Sequence, residues 1–379
     1  MMQETGTLIT PRGVFPNRRV EWEHGIITSI EEVPASDAPE QPRYLLPGVA
    51  DLHNHGGAGA SFPSDPLSAC RSAALHHRAH GTSTLLASTV SLPEELLLPQ
   101  LELLAQLVHE GAMVGIHAEG PFVNTLRCGA QDPAAIIPGD PALFSRMIDA
   151  AQGTLRSVTL APETAHLGEL LELCAEHGII ASFGHTDADF PTTIAAVRTA
   201  AELGVQVTAT HLFNAMPPIH HRNPGAAAAL LRAAGEDLAV VELVADGVHL
   251  DDHTVEFVLS TIGAGRTSFV SDAMGAAGQA DGHYILGRLA VTVQDGVARL
   301  STNDGTLGAI AGGTSHVFDQ VRRHITAGLD PQAVITAATT GHRLLGLTDR
   351  GDLQVGMRAD IISTSWTDTR VYYGGELQV

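Results

Sequence analysis

The chain has 379 residues, 44% of them hydrophobic, with 42 acidic and 21 basic residues and a formal net charge of −21. The length predicts one large domain and a smaller one, and the negative charge disfavours nucleic acid or an anionic membrane as a partner. No apolar run of about 18 residues suggests a membrane span. No signal peptide is recognisable, and three widely spaced cysteines favour a reducing cytoplasm.

All 21 basic residues are arginine, because the chain contains no lysine. This excludes Schiff-base catalysis, the lysine of a Walker loop and a carboxylated lysine that bridges two metals. An anionic substrate would need another cation, supplied locally against the negative charge of the chain.

Short strands separated by turns are predicted at both ends of the chain, where apolar and polar positions alternate. These strands cover residues 6–10, 19–22, 25–30, 359–362 and 370–373. We expect one small β domain made by both termini, residues 1–46 and 347–379, around a larger domain of residues 47–346.

In the middle of the chain, eight apolar runs alternate with helical stretches. The runs end near His53, Val90, Glu119, Glu163, His185, His211, Asp246 and Asp272. Helical spacing is clearest at residues 96–109, 167–177, 192–203, 315–327 and 331–345. Eight β/α units predict an α/β protein with a (β/α)8 TIM barrel, although a doubly wound open sheet also alternates in this way. Seven of the eight runs end in His, Asp or Glu, and TIM barrels place their active sites at these strand ends.

The strand ends carry the residues of a predicted metal site. His53 and His55 are two positions apart on one strand and therefore face the same side. Glu119, His185 and His211 each close a later run. Imidazole and carboxylate suit Zn²⁺ and its first-row neighbours, and a catalytic site keeps one position open for water. A lone His near a strand end is more often structural, but this set together predicts a metal centre.

Other histidines have competing interpretations. His117 lies two positions before Glu119 and competes as a ligand, but we interpret it as a packing residue behind the site. Six histidines in the helical segments are expected at the surface: His76, His77, His80, His109, His166 and His177.

Six segments with these residues resemble the amidohydrolase superfamily and, within it, the N-acetylglucosamine-6-phosphate deacetylases. They are LPGVADLHNHGG (46–57), HAEGPF (117–122), FGHTDA (183–188), THLFNAMPP (210–218), ADGVHLD (245–251) and VSDAM (270–274). The resemblance implies a TIM barrel with a small β-sandwich, and a homodimer. It also implies that Glu119, His185 and His211 hold the main divalent metal. Some family members lack the His-x-His pair and hold one metal, whereas His53 and His55 here could support a second, so one or two ions per subunit stay open. Zn²⁺ is the first expectation for the metal, with Fe²⁺, Co²⁺ and Mn²⁺ as alternatives.

The resemblance further implies the reaction, which is deacetylation of N-acetyl-D-glucosamine 6-phosphate to D-glucosamine 6-phosphate and acetate in amino-sugar catabolism and cell-wall recycling. Water activated by the metal attacks the acetamide carbonyl. Asp272 is expected to act as general base towards the water and then as general acid towards the leaving amine. The competing interpretation of Asp272 is a helix N-cap.

Contacts with the substrate are also predicted. Arg222 can bind a phosphate through its planar guanidinium, and the resemblance implies that it reaches the substrate of the neighbouring subunit. Asn214 and the backbone of Ala215 correspond to further phosphate contacts, and His249 to a sugar contact. Some family members carry a His where this chain has Gln131, whose amide can donate to an oxyanion but carries no charge.

Two other functions stay open at this point. One is another amidohydrolase activity on a different amide or cyclic amide. The other is a non-catalytic scaffold, which predicts lost ligands, whereas every ligand position here is filled.

Overall fold

The computed structural model describes residues 1–37, 39, 41–302 and 306–378. Strands from both termini pair in one seven-stranded sheet. These strands are β1 (Met2–Thr10), β2 (Gly13–Glu23), β3 (Ile26–Glu32), β4 (Tyr44–Pro47), β19 (Ile361–Thr364), β20 (Thr369–Tyr373) and β21 (Glu376–Leu377). Their order across the sheet is β21-β20-β19-β4-β1-β2-β3. The prediction of a β domain built from both termini is confirmed, while its predicted boundaries at residues 46 and 347 stay a prediction.

The terminal sheet folds over a small core of its own. Trp22 of β2 packs edge-on against Tyr372 of β20, with ring centroids 4.9 Å apart, although three strands separate β2 from β20 in the sheet. The Trp22 indole donates to the carbonyl of Gly375 at 3.0 Å. On the other face Ile9 and Leu46 pack into the barrel core. The sheet therefore forms two layers around Trp22, as expected of a small β-sandwich.

The barrel consists of eight parallel strands that follow one another in chain order. They are β5 (Val49–Asp51), β8 (Thr82–Thr89), β9 (Gly115–Glu119), β10 (Leu155–Leu160), β11 (Ile180–Phe183), β12 (Val207–Ala209), β13 (Val240–Leu243) and β14 (Thr267–Phe269). Every residue of β8 is buried, as expected of a parallel strand with a packed interior on one face and helices on the other. Each strand ends within three residues of its predicted end, and the TIM-barrel prediction is confirmed.

Helices separate the strands and close the barrel. They are α1 (Leu67–Ala79), α2 (Glu94–His109), α3 (Pro141–Ala150), α4 (Leu167–His177), α5 (Phe190–Glu202), α6 (Gly225–Gly235), α7 (Asp252–Ile262), α8 (Val317–Thr326) and α9 (Pro331–Leu344). An Asp-Pro pair starts both α3 and α9. The Asp140 and Asp330 carboxylates accept backbone N–H groups of the first turn, and the proline has no N–H to leave unpaired.

The barrel closes between the first and last strands just beyond their regular ends. The Asp272 N–H donates to the carbonyl of His53 at 2.9 Å, and the His55 N–H donates to the carbonyl of Ala273 at 2.7 Å. The buried Asp51 carboxylate accepts the Ser271 hydroxyl at 2.6 Å. Closure therefore places Asp272 beside the His-x-His pair, although more than 200 residues separate them in sequence.

A four-stranded antiparallel sheet between β14 and α8 was not predicted. Its strands are β15 (Gly282–Leu286), β16 (Leu289–Gln294), β17 (Val297–Ser301) and β18 (Leu307–Ile310). A short hairpin of β6 (Gly56–Gly57) and β7 (Ala60–Ser61) follows the His-x-His pair. Within the described ranges, no helix combines the length and apolar character needed to cross a membrane.

Candidate metal centre and active site

A cavity of about 350 Å³ opens at the C-terminal ends of the barrel strands. Of the eleven predicted site residues, all except His53 and Arg222 line it. The lining ones are His55, Glu119, Gln131, His185, His211, Asn214, Ala215, His249 and Asp272. His53 is fully buried beneath the cavity floor, in contact with His55 and Glu119. The fold thus brings together most of the residues that the sequence singled out, in a space large enough for a small ligand.

One group of polar atoms gathers around a single oxygen of Glu119. Glu119 Oε1 lies 2.9 Å from Nε2 of His185 and 3.0 Å from Nε2 of His211. The two histidine nitrogens are 3.1 Å apart. These three residues follow three different strands, so the arrangement exists only in the closed barrel.

A second group shares Glu119 with the first. His53 Nε2 and His55 Nε2 are 3.0 Å apart, and each lies near a Glu119 oxygen at 3.4 Å. Asp272 Oδ1 lies 3.5 Å from His53 Nε2 and 3.3 Å from His55 Nε2. Glu119 therefore joins the two groups, because its Oε1 approaches His185, His211 and His53 and its Oε2 approaches His55.

The donor set fits a divalent metal ion. Two donors bound tetrahedrally to one Zn²⁺ at about 2.0–2.2 Å lie about 3.3–3.6 Å apart, close to the separations found here. Four buried Nε2 atoms and a carboxylate that approach this closely need protons or a cation between them, and one or two divalent ions meet that need. The residues His53, His55 and Asp272, and likewise His53, Glu119 and His211, form groups whose ligand atoms lie within 4.8 Å of one another.

The backbone is strained at several of these residues. His185, His211 and Asp272 have φ values of 47°, 27° and 48°, and Phe213 and Ala215 nearby have 79° and 51°. Side-chain-bearing residues in this left-handed region cost about 1–3 kcal/mol each and cluster at functional sites. The strained residues follow strands β11, β12 and β14 directly, where the chain turns its side chains into the cavity.

Residues behind the cavity hold these side chains in place. Both nitrogens of His117 lie 2.9 Å from hydroxyl groups, those of Ser88 and Thr159, so its ring is occupied by packing and hydrogen bonding. Nδ1 of His185 lies 2.8 Å from the carbonyl of Arg127. This bond places the proton on Nδ1 and leaves Nε2 as an acceptor facing Glu119.

Glu242 is a buried carboxylate that the sequence analysis did not single out. It lies on β13 and accepts the Thr208 hydroxyl at 2.9 Å, and its other oxygen lies 3.6 Å from Nδ1 of His53. A negative charge on that side of the ring favours a proton on Nδ1 and an acceptor Nε2 towards the cavity. The sequence signal was a glutamate inside an otherwise apolar run, VVELVA, at 240–245.

Asp272 is ionised in this environment. Burial raises its pKa, but the hydrogen bond to His55 and the charges of His53 and His55 outweigh burial and hold the pKa below the usual value. His249 faces it with Nε2 3.6 Å from Oδ2. Burial lowers the pKa of His249, yet its bond to Asp246 at 2.8 Å outweighs this and raises it. Asp272 is thus a carboxylate base with an imidazole on its cavity side.

Gln131 enters the cavity wall from the loop after β9. Its carbonyl oxygen accepts the Ser91 N–H at 2.5 Å, so its NH₂ group is the part that donates to Glu119. Asn214 donates to the carbonyl of His211 at 3.1 Å, which fixes the turn that carries Ala215. These contacts place Gln131 beside the metal ligands and Asn214 at the opposite wall.

Two arginines that could bind a phosphate occupy different positions. Arg222 lies in an exposed turn before α6, where it contacts the His221 ring at 2.9 Å, outside the cavity of its own chain. Arg299, on β17 of the unpredicted four-stranded sheet, lines the cavity and donates to the carbonyl of Gly308 at 3.2 Å. Among the described residues that line the cavity, Arg299 is the one arginine. No local sequence motif marks Arg299, because its position at the cavity depends on how the four-stranded sheet packs over the barrel mouth.

Comparison with known proteins agrees with this geometry. The model of the amidohydrolase family matches residues 44–373. The chain belongs to the amidohydrolase family. Membership implies a divalent metal at the histidine and carboxylate groups described above.

Relatives within this family are similar over nearly the whole chain. An N-acetylglucosamine-6-phosphate deacetylase of Bacillus subtilis is 33% identical, covering 94% of this chain and 91% of the relative. An N-acetylgalactosamine-6-phosphate deacetylase of Escherichia coli O157:H7 is 30% identical, covering 94% and 93%. A solved structure of a Mycobacterium smegmatis N-acetyl-D-glucosamine-6-phosphate deacetylase mutant, in complex with N-acetyl-D-glucosamine 6-phosphate, is 34% identical with a TM-score of 0.89, covering 100% of this chain and 99% of that one.

Proposed function

We propose that this protein hydrolyses the acetamide of N-acetyl-D-glucosamine 6-phosphate, releasing acetate and D-glucosamine 6-phosphate. The observation that carries the proposal is one continuous group at the base of one cavity, in which His53, His55, His185 and His211 approach Glu119, and Asp272 approaches His53 and His55. This cavity lies in a chain similar from end to end to a family member solved with that sugar phosphate. The proposal places the protein in amino-sugar catabolism and cell-wall recycling.

In this proposal the metal centre uses Glu119, His185 and His211 as its main ligands, and His53 and His55 serve a second ion. A bound divalent ion, Zn²⁺ in the first place, lowers the pKa of water to about 7 and polarises the acetamide carbonyl. Glu119 has an oxygen near each pair of histidines and is suited to join two ions. Fe²⁺, Co²⁺ and Mn²⁺ are alternatives with the same ligand chemistry.

Asp272 serves as the general base and then the general acid. Its carboxylate is held ionised and lies on the cavity floor, so it can take a proton from the attacking water. The same group then delivers that proton to the nitrogen of the leaving amine. Gln131 has an NH₂ group beside Glu119, and its second N–H is available to the carbonyl oxygen of the substrate as negative charge develops.

The sugar and phosphate require cations and dipoles at the cavity wall. His249, with its raised pKa, is suited to bind a sugar oxygen or the phosphate. Asn214 and the Ala215 N–H supply neutral donors. Arg299 supplies a guanidinium inside the cavity of the same chain, which Arg222 does not.

The position of Arg222 supports a homodimer. Its turn is exposed, and the arginine lies outside the cavity of its own chain. We therefore assign Arg222 to the phosphate bound in the neighbouring subunit. Co-expression of an Asp272→Asn chain with an Arg222→Ala chain tests this, because each mixed dimer contains one cavity with both groups intact. Activity above that of either variant alone supports the assignment, and additive residual activities contradict it.

The three cysteines form no disulfide among the described residues, and burial raises the pKa of the Cys70 and Cys174 thiols to about 12. Unpaired and unreactive thiols favour a reducing compartment such as the cytoplasm.

Steady-state kinetics on metal-quantified protein test the main proposal. We expect kcat/KM for N-acetyl-D-glucosamine 6-phosphate to exceed that for free N-acetyl-D-glucosamine by about 10²–10⁴-fold, because a site built to bind phosphate leaves its cations unpaired without it. Chelation should abolish turnover, and Zn²⁺ or Co²⁺ should restore it. No preference for the phosphate would instead favour another amidohydrolase activity, on a different amide or cyclic amide.

A second substrate is N-acetyl-D-galactosamine 6-phosphate, because the Escherichia coli O157:H7 relative carries that name and is similar over almost the same length. The two sugars differ only at one hydroxyl. Competition between them for the same protein sample decides which is the better substrate.

A further inference from the structure

Three histidines outside the active-site cavity bring their rings together where α1 meets α8. His76 and His80 lie four residues apart near the C-terminal end of α1, and His316 is the N-cap residue of α8. Their ring nitrogens lie within 4.8 Å of one another. None of them lines the cavity. We call His76, His80 and His316 the peripheral histidine cluster.

The spacing and contacts of these rings suit a shared ligand. Residues four apart on a helix project from the same face, and two histidines at this spacing can bind one zinc ion. Nε2 of His76 lies 3.0 Å from Nε2 of His316. The ring of His80 packs 4.2 Å from that of His76 and 4.1 Å from that of His316, measured between centroids.

Bonds on the outer side of two rings orient their lone pairs. Nδ1 of His316 lies 2.8 Å from the Asp319 carboxylate, and Nδ1 of His80 lies 2.7 Å from the carbonyl of His76. Both partners are acceptors, so both Nδ1 atoms carry the proton and both Nε2 atoms keep a lone pair. A carboxylate behind a histidine in this way is a common support for a metal ligand.

Two of the three imidazoles, those of His76 and His80, are shifted towards the neutral form. Burial, together with the neighbouring His80 and His316, lowers the pKa of His76 to about 4. Burial and His316 also lower the pKa of His80, although Asp319 and the carbonyl of His76 oppose this. Neutral imidazole is the form that binds metals. His316 is buried, His76 is half-buried and His80 is exposed, so water reaches one side of the cluster.

We propose that His76, His80 and His316 bind one divalent transition-metal ion, Zn²⁺ in the first place, at a site separate from the catalytic centre. Three imidazoles with a water molecule in the fourth position form a known zinc coordination. Because the His80 and His316 rings are stacked, binding requires the exposed His80 ring to rotate, which exchanges its bond to the carbonyl of His76 for a bond to the ion. The alternative is a single hydrogen bond between His76 and His316 with no ion.

Such an ion would join two distant parts of the chain. It would fix the end of α1 to the start of α8, which follows directly on the four-stranded sheet that covers the cavity. His77, next to His76, lies 2.9 Å from the carbonyl of Gly56 and 3.1 Å from the amide of Asn54, the residue between His53 and His55. An ion at the peripheral site would therefore stabilise the contacts of His77 with Gly56 and Asn54, which lie beside His53 and His55. This inference does not depend on the substrate proposed above.

Metal content tests the proposal without an activity measurement. Wild-type protein, His80→Gln and the control His109→Gln are equilibrated with Zn²⁺, dialysed and analysed by mass spectrometry of the metal. His80 and His109 are both exposed helical histidines, so neither substitution opens a buried cavity. We expect wild type and the control to hold about one Zn²⁺ per chain more than His80→Gln.

A second background separates the two kinds of site. The Glu119→Gln substitution weakens metal binding at the catalytic centre. In that protein, adding His80→Gln should lower the Zn²⁺ content by about one further ion per chain, as it does in the wild type. With Co²⁺ as the probe, the wild-type minus His80→Gln spectrum should show visible absorption bands of a protein-bound ion. Equal Zn²⁺ content in wild type and His80→Gln, or an equal loss in His109→Gln, would overturn the proposal.

Discussion

The histidines of the proposed catalytic centre and the peripheral histidine cluster use the same side chain in two different settings. The former, His53, His55, His185 and His211, follow barrel strands, two of them with a strained backbone, and face the carboxylates of Glu119 and Asp272. The peripheral ones lie on or cap regular helices, and the carboxylate of Asp319 contacts only the outer nitrogen of His316. Among the described residues, no carboxylate is directed into the centre of the peripheral cluster.

This difference shows which part of a metal site makes it catalytic. Imidazoles alone hold an ion, whereas proton transfer needs a carboxylate at hydrogen-bonding range of the reacting water. In the proposed mechanism Asp272 supplies this carboxylate in the barrel, and the described residues offer no counterpart at the peripheral cluster. Variants at both regions can sharpen or break this contrast.

The largest effect is expected at Asp272. Asp272→Asn removes the proton acceptor but keeps the size of the side chain, so kcat should fall by about 10²–10⁴-fold while the metal content stays at the wild-type level. Asp251→Asn, at an exposed helix N-cap, is the matched control and should retain turnover. Near-normal kcat in Asp272→Asn would remove this residue from the mechanism.

Glu242→Gln should have the next largest effect, on metal affinity. Loss of the negative charge beside His53 weakens the preference for the acceptor Nε2, and comparable substitutions behind metal ligands cost about 10–100-fold in affinity or activity. Competition with a chelating dye measures the dissociation constant. An unchanged constant would show that Glu242 supports only the hydroxyl groups of Thr208 and Ser182.

The two arginines should differ in how they affect the phosphate. Arg299→Ala removes a cation from the cavity of its own chain, and we expect KM for the sugar phosphate to rise about 10-fold with kcat less affected. Arg222→Ala should produce a similar rise only in the dimer. Free N-acetyl-D-glucosamine is the control substrate, and its kinetics should not change in either variant. An equal loss with both substrates would indicate a structural role.

The smallest effect on chemistry is expected at His77, where stability should change instead. Its ring is fully buried between the two histidine regions and contacts Gly56 and Asn54. His77→Ala removes the imidazole partner of the Gly56 carbonyl and leaves a cavity, whereas the Asn54 amide keeps Asp51 and Ser271 as acceptors, and the free energy of unfolding should fall by about 1–3 kcal/mol. Urea unfolding with His109→Ala as the exposed control measures this, and equal stability of the two variants would contradict it.

The sequence alone predicted the barrel strands closely because their apolar runs are long and their polar ends are distinctive. All eight observed strands end within three residues of the predicted positions, and α4 coincides with its predicted range. Prediction failed at residues 282–310, where the short strands of an exposed hairpin sheet carry too few apolar positions for a clear period. The prediction that His77 lies at the surface was wrong, because the hairpin after His55 covers this face of α1.

The candidate metal ligands could be singled out from the sequence, since His-x-His and the strand-terminal Glu119, His185 and His211 are local features. What only the tertiary structure decided was proximity. Closure of the barrel brings Asp272 to the His-x-His pair, and the inserted sheet brings Arg299 to the cavity. The tertiary structure also places Arg222 outside the cavity of its own chain. It brings His76, His80 and His316 beside one another. These contacts join residues far apart in sequence, and local spacing carries no information about such distances.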